Sequence, residues 1–122
     1  MIGIDIISID RIQKVCDRFG SKFLSRFLSQ QEIQLCLKDT QELNYQRIAG
    51  FWAAKEAISK AIGTGIGEDL LFLDILLSKD SKGKPQATLL PHKMQAFHLK
   101  ELAISITHDQ NLAIAIAWIR QN

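Results

Sequence analysis

The 122-residue sequence predicts an α+β domain, a long central helix and shorter helices packed on a mainly antiparallel β-sheet. Three observations lead there. Between Leu43 and Ile62 the apolar residues Ile48, Phe51, Ile58 and Ile62 keep helical phase, among alanines that permit close packing. Near the C-terminus Leu112, Ile114, Ile116 and Trp118 alternate with Ala113, Ala115 and Ala117, the two-residue period of a strand. Two turn signals, KDSKGKP at 79–85 and HDQN at 108–111, join neighbouring extended stretches as hairpins.

The elements follow in order. Isoleucines at 2, 4, 6, 7 and 9, interrupted by Gly3 and Asp5, predict a strand to about residue 7, with Ser8 as N-cap of a helix. Ile12, Val15, Cys16 and Phe19 recur at helical spacing until Gly20 ends that helix. A short helical stretch follows around Phe23–Phe27. Ser29 opens another, with Glu32 completing a capping box. The long helix runs from about Leu43 to Ile62. After Gly67 the pattern turns extended, with a strand at Leu70–Ser78, a turn at Lys79–Pro85 using Gly83, and a return strand at Gln86–Leu90. Pro91 starts a short helix to about Leu99. Leu102–Thr107 and Leu112–Ile119 form the closing hairpin. Without repeats, linkers or low-complexity tracts, residues 1–122 read as a single domain.

Composition narrows the function classes. At 47% hydrophobic the chain can fill one core, and a net charge of +2 does not suggest a bulk nucleic-acid binder. Cys16 and Cys36 are too far apart for a zinc knuckle and fall among apolar residues, as reduced core thiols do. Asp5 and Asp10 stand where a signal peptide needs a basic start and an unbroken apolar run. No stretch approaches the roughly 20 apolar residues of a membrane span. The expected location is cytoplasmic.

The segment Ala53–Gly67, AAKEAISKAIGTGIG, carries the chemistry. It places Glu56 between Lys55 and Lys60 on a helix that runs into Gly63, Gly65 and Gly67. Carboxylate, ammonium and glycine-rich backbone suit a magnesium-bound phosphate ester. Glu56 and Lys60 are also compatible with an ordinary i,i+4 ion pair, although Trp52 shares their face. The glycines follow the helix, so a phosphate there would meet the disfavoured C-terminal end of the dipole. Loop amides, a cation and a metal would have to supply the attraction, and Lys60 is placed for that. Asp5 is a carboxylate inside an apolar strand, which reads as a functional group or as a cap or buried ion pair. His108 enters a turn, as a structural hydrogen bonder or as a phosphate donor or proton carrier. Arg11, Lys14, Arg18, Lys22 and Arg26 form a basic ridge, either a solvated face or a dock for an acidic protein.

Taken together these residues resemble the holo-acyl-carrier-protein synthases, the short bacterial group of 4′-phosphopantetheinyl transferases. The likeness spans nearly the whole chain: GIDIISIDRI, FLSQQE, GFWAAKEAISKAIGTGIG, DSKGKP and SITHD, in that order. It implies the 4′-phosphopantetheinyl transferase fold, with Asp5 and Glu56 as magnesium ligands. Lys60 and the loop Gly63, Thr64, Gly65 to Gly67 would hold the coenzyme A diphosphate. Ser105, Thr107 and His108 would line the same phosphate pocket. A homotrimer with its sites in clefts between subunits is also implied, as is docking of acyl carrier protein on Arg11, Arg18 and Lys22. One departure is that Phe51 stands where the family commonly has arginine, which removes a nucleotide-phosphate contact; Arg47, a turn earlier, is the candidate to compensate.

The implied reaction moves 4′-phosphopantetheine from coenzyme A to a serine of apo-acyl carrier protein in fatty acid biosynthesis. It is phosphoryl transfer, catalysed by positioning and charge neutralisation. Glu56 and a metal-bound hydroxide are both candidates to accept the serine proton. Two rivals are a non-catalytic carrier-protein binding module and another magnesium-dependent nucleotide phosphotransferase. The presence of Asp5, Glu56 and Lys60 together argues against the first, and inertness towards coenzyme A would favour the second.

Overall fold

The structure, a computed structural model, describes residues 1–122. Strand β1 (Ile2–Ser8) runs directly into helix α1 (Ile9–Phe19), because the Ser8 side chain accepts from the Arg11 amide and caps the helix. Gly20, at φ 58°, separates α1 from α2 (Ser21–Phe27). Ser29 and Glu32 close the expected capping box on α3 (Gln30–Leu35), at 3.2 and 2.8 Å. The long helix α4 spans Tyr45–Ile62. It starts later than expected because Leu43 forms a bridge with Leu37 and the Asn44 side chain caps the Arg47 amide.

The three-stranded sheet has the order β1–β5–β4, all antiparallel, with β5 (Leu112–Gln121) between β1 and β4 (Leu99–Asp109). Gln110, at φ 53°, opens the two-residue turn between the last two strands. As the alternation predicts, Ala113, Ala115 and Ala117 are fully buried on the face packed against α4, which adds Ala53, Ala57 and Ala61 to the core. Contact is close at Gly3. A Cβ there would run into the Ala57 carbonyl oxygen and stand 2.5 Å from the Ala61 nitrogen, so only glycine lets β1 lie on the helix backbone.

The other face of this sheet is apolar and uncovered. Ile2, Ile4 and Ile6 are 65%, 59% and 56% exposed, beside Ile116 and Trp118 at 41%. The register pairs Ile2 with Trp118 and Ile4 with Ile116, so these side chains form one patch.

The expected strand Leu70–Ser78 is corrected to β2, Ile75–Lys79. The Asp74 carboxylate accepts the Leu71 amide at 2.9 Å and Phe72–Asp74 winds a 3₁₀ turn, so local bonding displaces the ladder there. β2 pairs with β3 (Pro85–Leu89) across a turn in which Gly83 has φ 83° and the Asp80 carboxylate accepts the Lys82 and Lys84 amides. Helix α5 (Pro91–Ala96) stops short of Leu99 because that residue already belongs to β4. Both cysteines are free and buried, and burial pushes their thiols up, to about 11 for Cys16 and about 12 for Cys36. No helix is long and apolar enough to cross a membrane.

Candidate active site

Asp5, Glu56 and Lys60 meet where β1 crosses the C-terminal half of α4. The strand period turns Asp5 towards the helix with Gly3, while Ile4 and Ile6 point outward. Lys60 Nζ donates to Asp5 Oδ1 at 2.8 Å and to the Ile4 carbonyl at 3.1 Å. The ordinary i,i+4 pair between Glu56 and Lys60, the alternative that the spacing allows, is not formed at contact distance; the lysine's ion-pair partner is Asp5. Glu56 stands one turn earlier on the same face, and its carboxyl is held above the ordinary range. Burial is the main cause and the negative charge of Asp5 the second, with Lys60 opposing. Trp52 stands a further turn back. It packs with Phe72 at 4.9 Å, Phe27 at 5.1 Å and Phe23 at 5.9 Å between ring centres.

Lys55, adjacent to Glu56 in sequence, is rotated away from this group. Neighbouring residues on a helix do not share a face. Its ammonium is fully buried against Glu32, at 2.9 Å.

The glycine loop begins where α4 ends. Gly63 is left-handed at φ 99°, and its amide and that of Gly65 both donate to the Ser59 carbonyl. The Gly67 amide donates to Leu70. The glycine N–H groups are therefore occupied, and the free amides of the loop are those of Thr64 and Ile66, which have no acceptor in the chain. Glycine shapes the loop and its neighbours present the donors.

His108 lies elsewhere in the chain. Its Nε2 is 2.9 Å from the Gln46 carbonyl. A carbonyl only accepts, so Nε2 carries the proton and Nδ1 is left for another partner. Gly50 makes room for this contact, since a Cβ there would be 2.9 Å from Ile106 and 3.2 Å from the imidazole. Gln46 and Lys60 are fourteen residues apart on α4, about 20 Å along a straight helix. Ser105 and Thr107 pair with Ile116 and Ile114, which puts them on the outer sheet face, opposite to Asp5. One chain thus gathers Asp5, Glu56, Lys60 and the loop, and holds Ser105, Thr107 and His108 apart from them.

A cavity of about 250 Å³ opens beside His108, lined among others by Arg47, Gly50, Phe51, Lys79 and Gly83. Arg47 is anchored on the Leu35 carbonyl at 2.7 Å. The Lys79 ammonium is pushed below its ordinary range, first by burial and then by Arg47. The cavity thus has two basic side chains in its lining. Lys79 was not singled out from the sequence. Its signal is strand alternation, which places it on the same face as Ile75 and Leu77.

Arg11, Lys14, Arg18, Lys22 and Arg26 are all exposed on α1 and α2, and none forms an ion pair. Arg18 lies over the ring of exposed Phe19, 5.2 Å from its centre.

Comparison with known proteins gives a consistent answer. The profile of the 4′-phosphopantetheinyl transferase superfamily matches residues 1–117. A holo-[acyl-carrier-protein] synthase of Helicobacter pylori is 53% identical over 119 residues, covering 98% of this chain and 96% of that protein. One from a Nitratiruptor species is 47% identical over 119 residues, covering 98% and 97%. A crystal structure of the Helicobacter pylori synthase in complex with coenzyme A superposes with a TM-score of 0.92 at 52% identity, covering 98% of this chain and 100% of that one. The Bacillus anthracis synthase, solved with coenzyme A (3′,5′-ADP), gives 0.81 at 36%, covering 99% and 96%. The chain belongs to the 4′-phosphopantetheinyl transferase superfamily.

Proposed function

We propose that the chain transfers 4′-phosphopantetheine from coenzyme A to a serine of apo-acyl carrier protein, releasing adenosine 3′,5′-bisphosphate, as a cytoplasmic, magnesium-dependent homotrimer serving fatty acid biosynthesis. The observation that carries this reading is the meeting of Asp5, Glu56 and Lys60 beside a loop with two free amides, in a member of this superfamily. The relatives named for this reaction match along almost their whole length.

The donor set fits magnesium. Asp5 and Glu56 are hard oxygen donors of the kind magnesium takes. Burial is the main cause that raises Glu56 and the negative charge of Asp5 the second, and a divalent cation held by both would offset that second contribution. Bound there, magnesium supplies Lewis-acid stabilisation of charge on the diphosphate. Lys60, with a half-exposed side chain, is free to turn from Asp5 towards the diphosphate, for which the unpaired Thr64 and Ile66 amides are further donors. Glu56, whose carboxyl is held above the ordinary range chiefly by burial, is the group of this chain placed to take the proton of the carrier serine as its oxygen attacks the β-phosphorus. The bond from that phosphorus to the oxygen of the departing adenosine bisphosphate breaks in the same displacement. The Arg47–Lys79 cavity receives the nucleotide's remaining charge, which is how the chain tolerates Phe51 in place of arginine. The carrier docks on the unpaired charge of Arg11, Arg18 and Lys22.

Two observations support the trimer. The exposed Ile2, Ile4, Ile6, Ile116 and Trp118 form an apolar patch of the kind that subunit contact covers. The other is that one chain keeps Ser105, Thr107 and His108 apart from the carboxylates, so a site using all of them needs a second copy.

The test is mass spectrometry of apo-acyl carrier protein incubated with the protein, coenzyme A and magnesium. A mass gain of one phosphopantetheine arm, dependent on both coenzyme A and magnesium, is expected; an unmodified carrier would overturn the reading.

A further inference from the structure

Beneath the candidate site lies a second charged group that the reaction does not use. Lys55 is 0% exposed, and its Nζ donates to Phe27 O at 2.7 Å, Glu32 Oε1 at 2.9 Å and Phe72 O at 3.1 Å. An ammonium has three donors, so all are engaged. Glu32 is 1% exposed, with Oε1 also accepting the Ser29 amide at 2.8 Å and Oε2 the Leu77 amide at 2.7 Å. No buried side-chain polar atom of the protein is left without a partner.

Stability does not by itself account for such a pair. Apolar residues of similar volume often match or exceed a buried ion pair, whose desolvation offsets most of its attraction. What the pair does supply is geometry, because its bonds end in four different segments. Phe27 is the last residue of α2, two residues before the Ser29 cap of α3. Phe72 opens the turn beyond the glycine loop, with its ring against Trp52. Leu77 lies on β2, two residues before Lys79 of the cation-lined cavity. Lys55 itself precedes Glu56. The junction therefore touches the end of the basic helix α2, the exit of the loop, the strand leading to the cavity and the helix turn bearing the carboxylate.

We propose that Lys55 and Glu32 are positioning residues for the transfer: their buried, bonded pair sets the carrier-docking helix α2, which bears Lys22, in register with the turn that bears Glu56. The inference rests on the transfer reading above. It predicts that losing the pair injures delivery of the carrier serine more than binding of coenzyme A, even where stability is kept.

The deciding variant is Lys55→Met combined with Glu32→Gln. The glutamine amide can still accept from the Ser29 or Leu77 amide and donate to a freed carbonyl, so the fold is retained without the charges. Full-length wild type and variant are compared by thermal melting and by steady-state transfer with both substrates varied, well below either midpoint. The expected result is a midpoint recovered to near the wild-type value relative to Lys55→Met alone. With it should come a KM for coenzyme A within about twofold of wild type and a kcat for the carrier lowered about tenfold or more. Should the double variant not fold, Lys55→Arg decides: charge is kept, the fit to three acceptors is not, and kcat must fall at an unchanged coenzyme A KM. Wild-type kcat in either folded variant would overturn the inference alone. Inactive wild-type protein would overturn the transfer reading and this inference with it.

Discussion

Replacing Gly3 with alanine should lift β1 from α4 and damage stability and chemistry together. The added methyl meets the Ala57 carbonyl oxygen and the Ala61 nitrogen, both backbone atoms of a helix held on its other side by the core. Overpacking of this kind costs about 1–3 kcal/mol, and with no flexible side chain to give way the upper figure applies. Unfolding entropy of roughly 2.1 cal/mol/K per residue converts about 3 kcal/mol into a fall of about 12 °C in the melting midpoint for a chain of 122 residues. Asp5 is two residues along the same strand, now 2.8 Å from Lys60, and a displacement near 1 Å should lower kcat by about 10- to 100-fold. The assay is circular-dichroism melting beside transfer rates measured at a temperature where both proteins are folded. Gly67→Ala is the stability control, since nothing lies within 4 Å of a Cβ there. A Gly3→Ala protein with the wild-type midpoint and rate would refute the claim that backbone contact fixes the strand.

Glu56→Gln links pH to the same site. A carboxyl that holds its proton more tightly folded than unfolded costs stability as pH rises from the ordinary value of 4.5 through the raised one. The glutamine variant, melted without divalent cation, should therefore exceed wild type near pH 8, converge with it near pH 4, and transfer nothing; a lower midpoint near pH 8 would contradict the shift. Ile116→Lys places a charge in the exposed apolar patch and should convert a trimer to folded monomer by sedimentation, and an unchanged mass would exclude that patch as the subunit contact. Arg11→Glu should raise KM for the carrier about tenfold and leave that for coenzyme A within twofold; equal effects on both would count against the docking face.

What could be read from sequence was local. Ser8, Ser29 with Glu32, Gly20, Gly63 and Pro91 mark helix ends because each acts on backbone groups within a few residues. The start of β2 failed for the same reason in reverse, since Leu70–Asp74 is apolar enough for a strand while one carboxylate, Asp74, bonds locally. The pairing of β1 with β5 joins the two ends of the chain and leaves no nearby trace. Asp5 and Lys60 were legible as candidates, yet their contact depends on that pairing and on Gly3. The sequence sets Lys55 beside Glu56, but one residue is a rotation of about 100° around a helix, which turns its ammonium to Glu32 instead. The glycine loop was legible as a shape, but which amides stay free is decided by the Ser59 and Leu70 carbonyls.

The alternation in β1 also acts as proofreading. Slipping its pairing by one residue would turn Asp5 to the outer face and drive Ile2 or Ile4 against the Ala57 carbonyl, where even one methyl does not fit. The mis-registered chain would thus lose its carboxylate, carry a charge on the face meant for neighbours, and strain its own core. Gly3 works as a key cut for a single register, so a chain able to assemble is also one whose acid points at the helix.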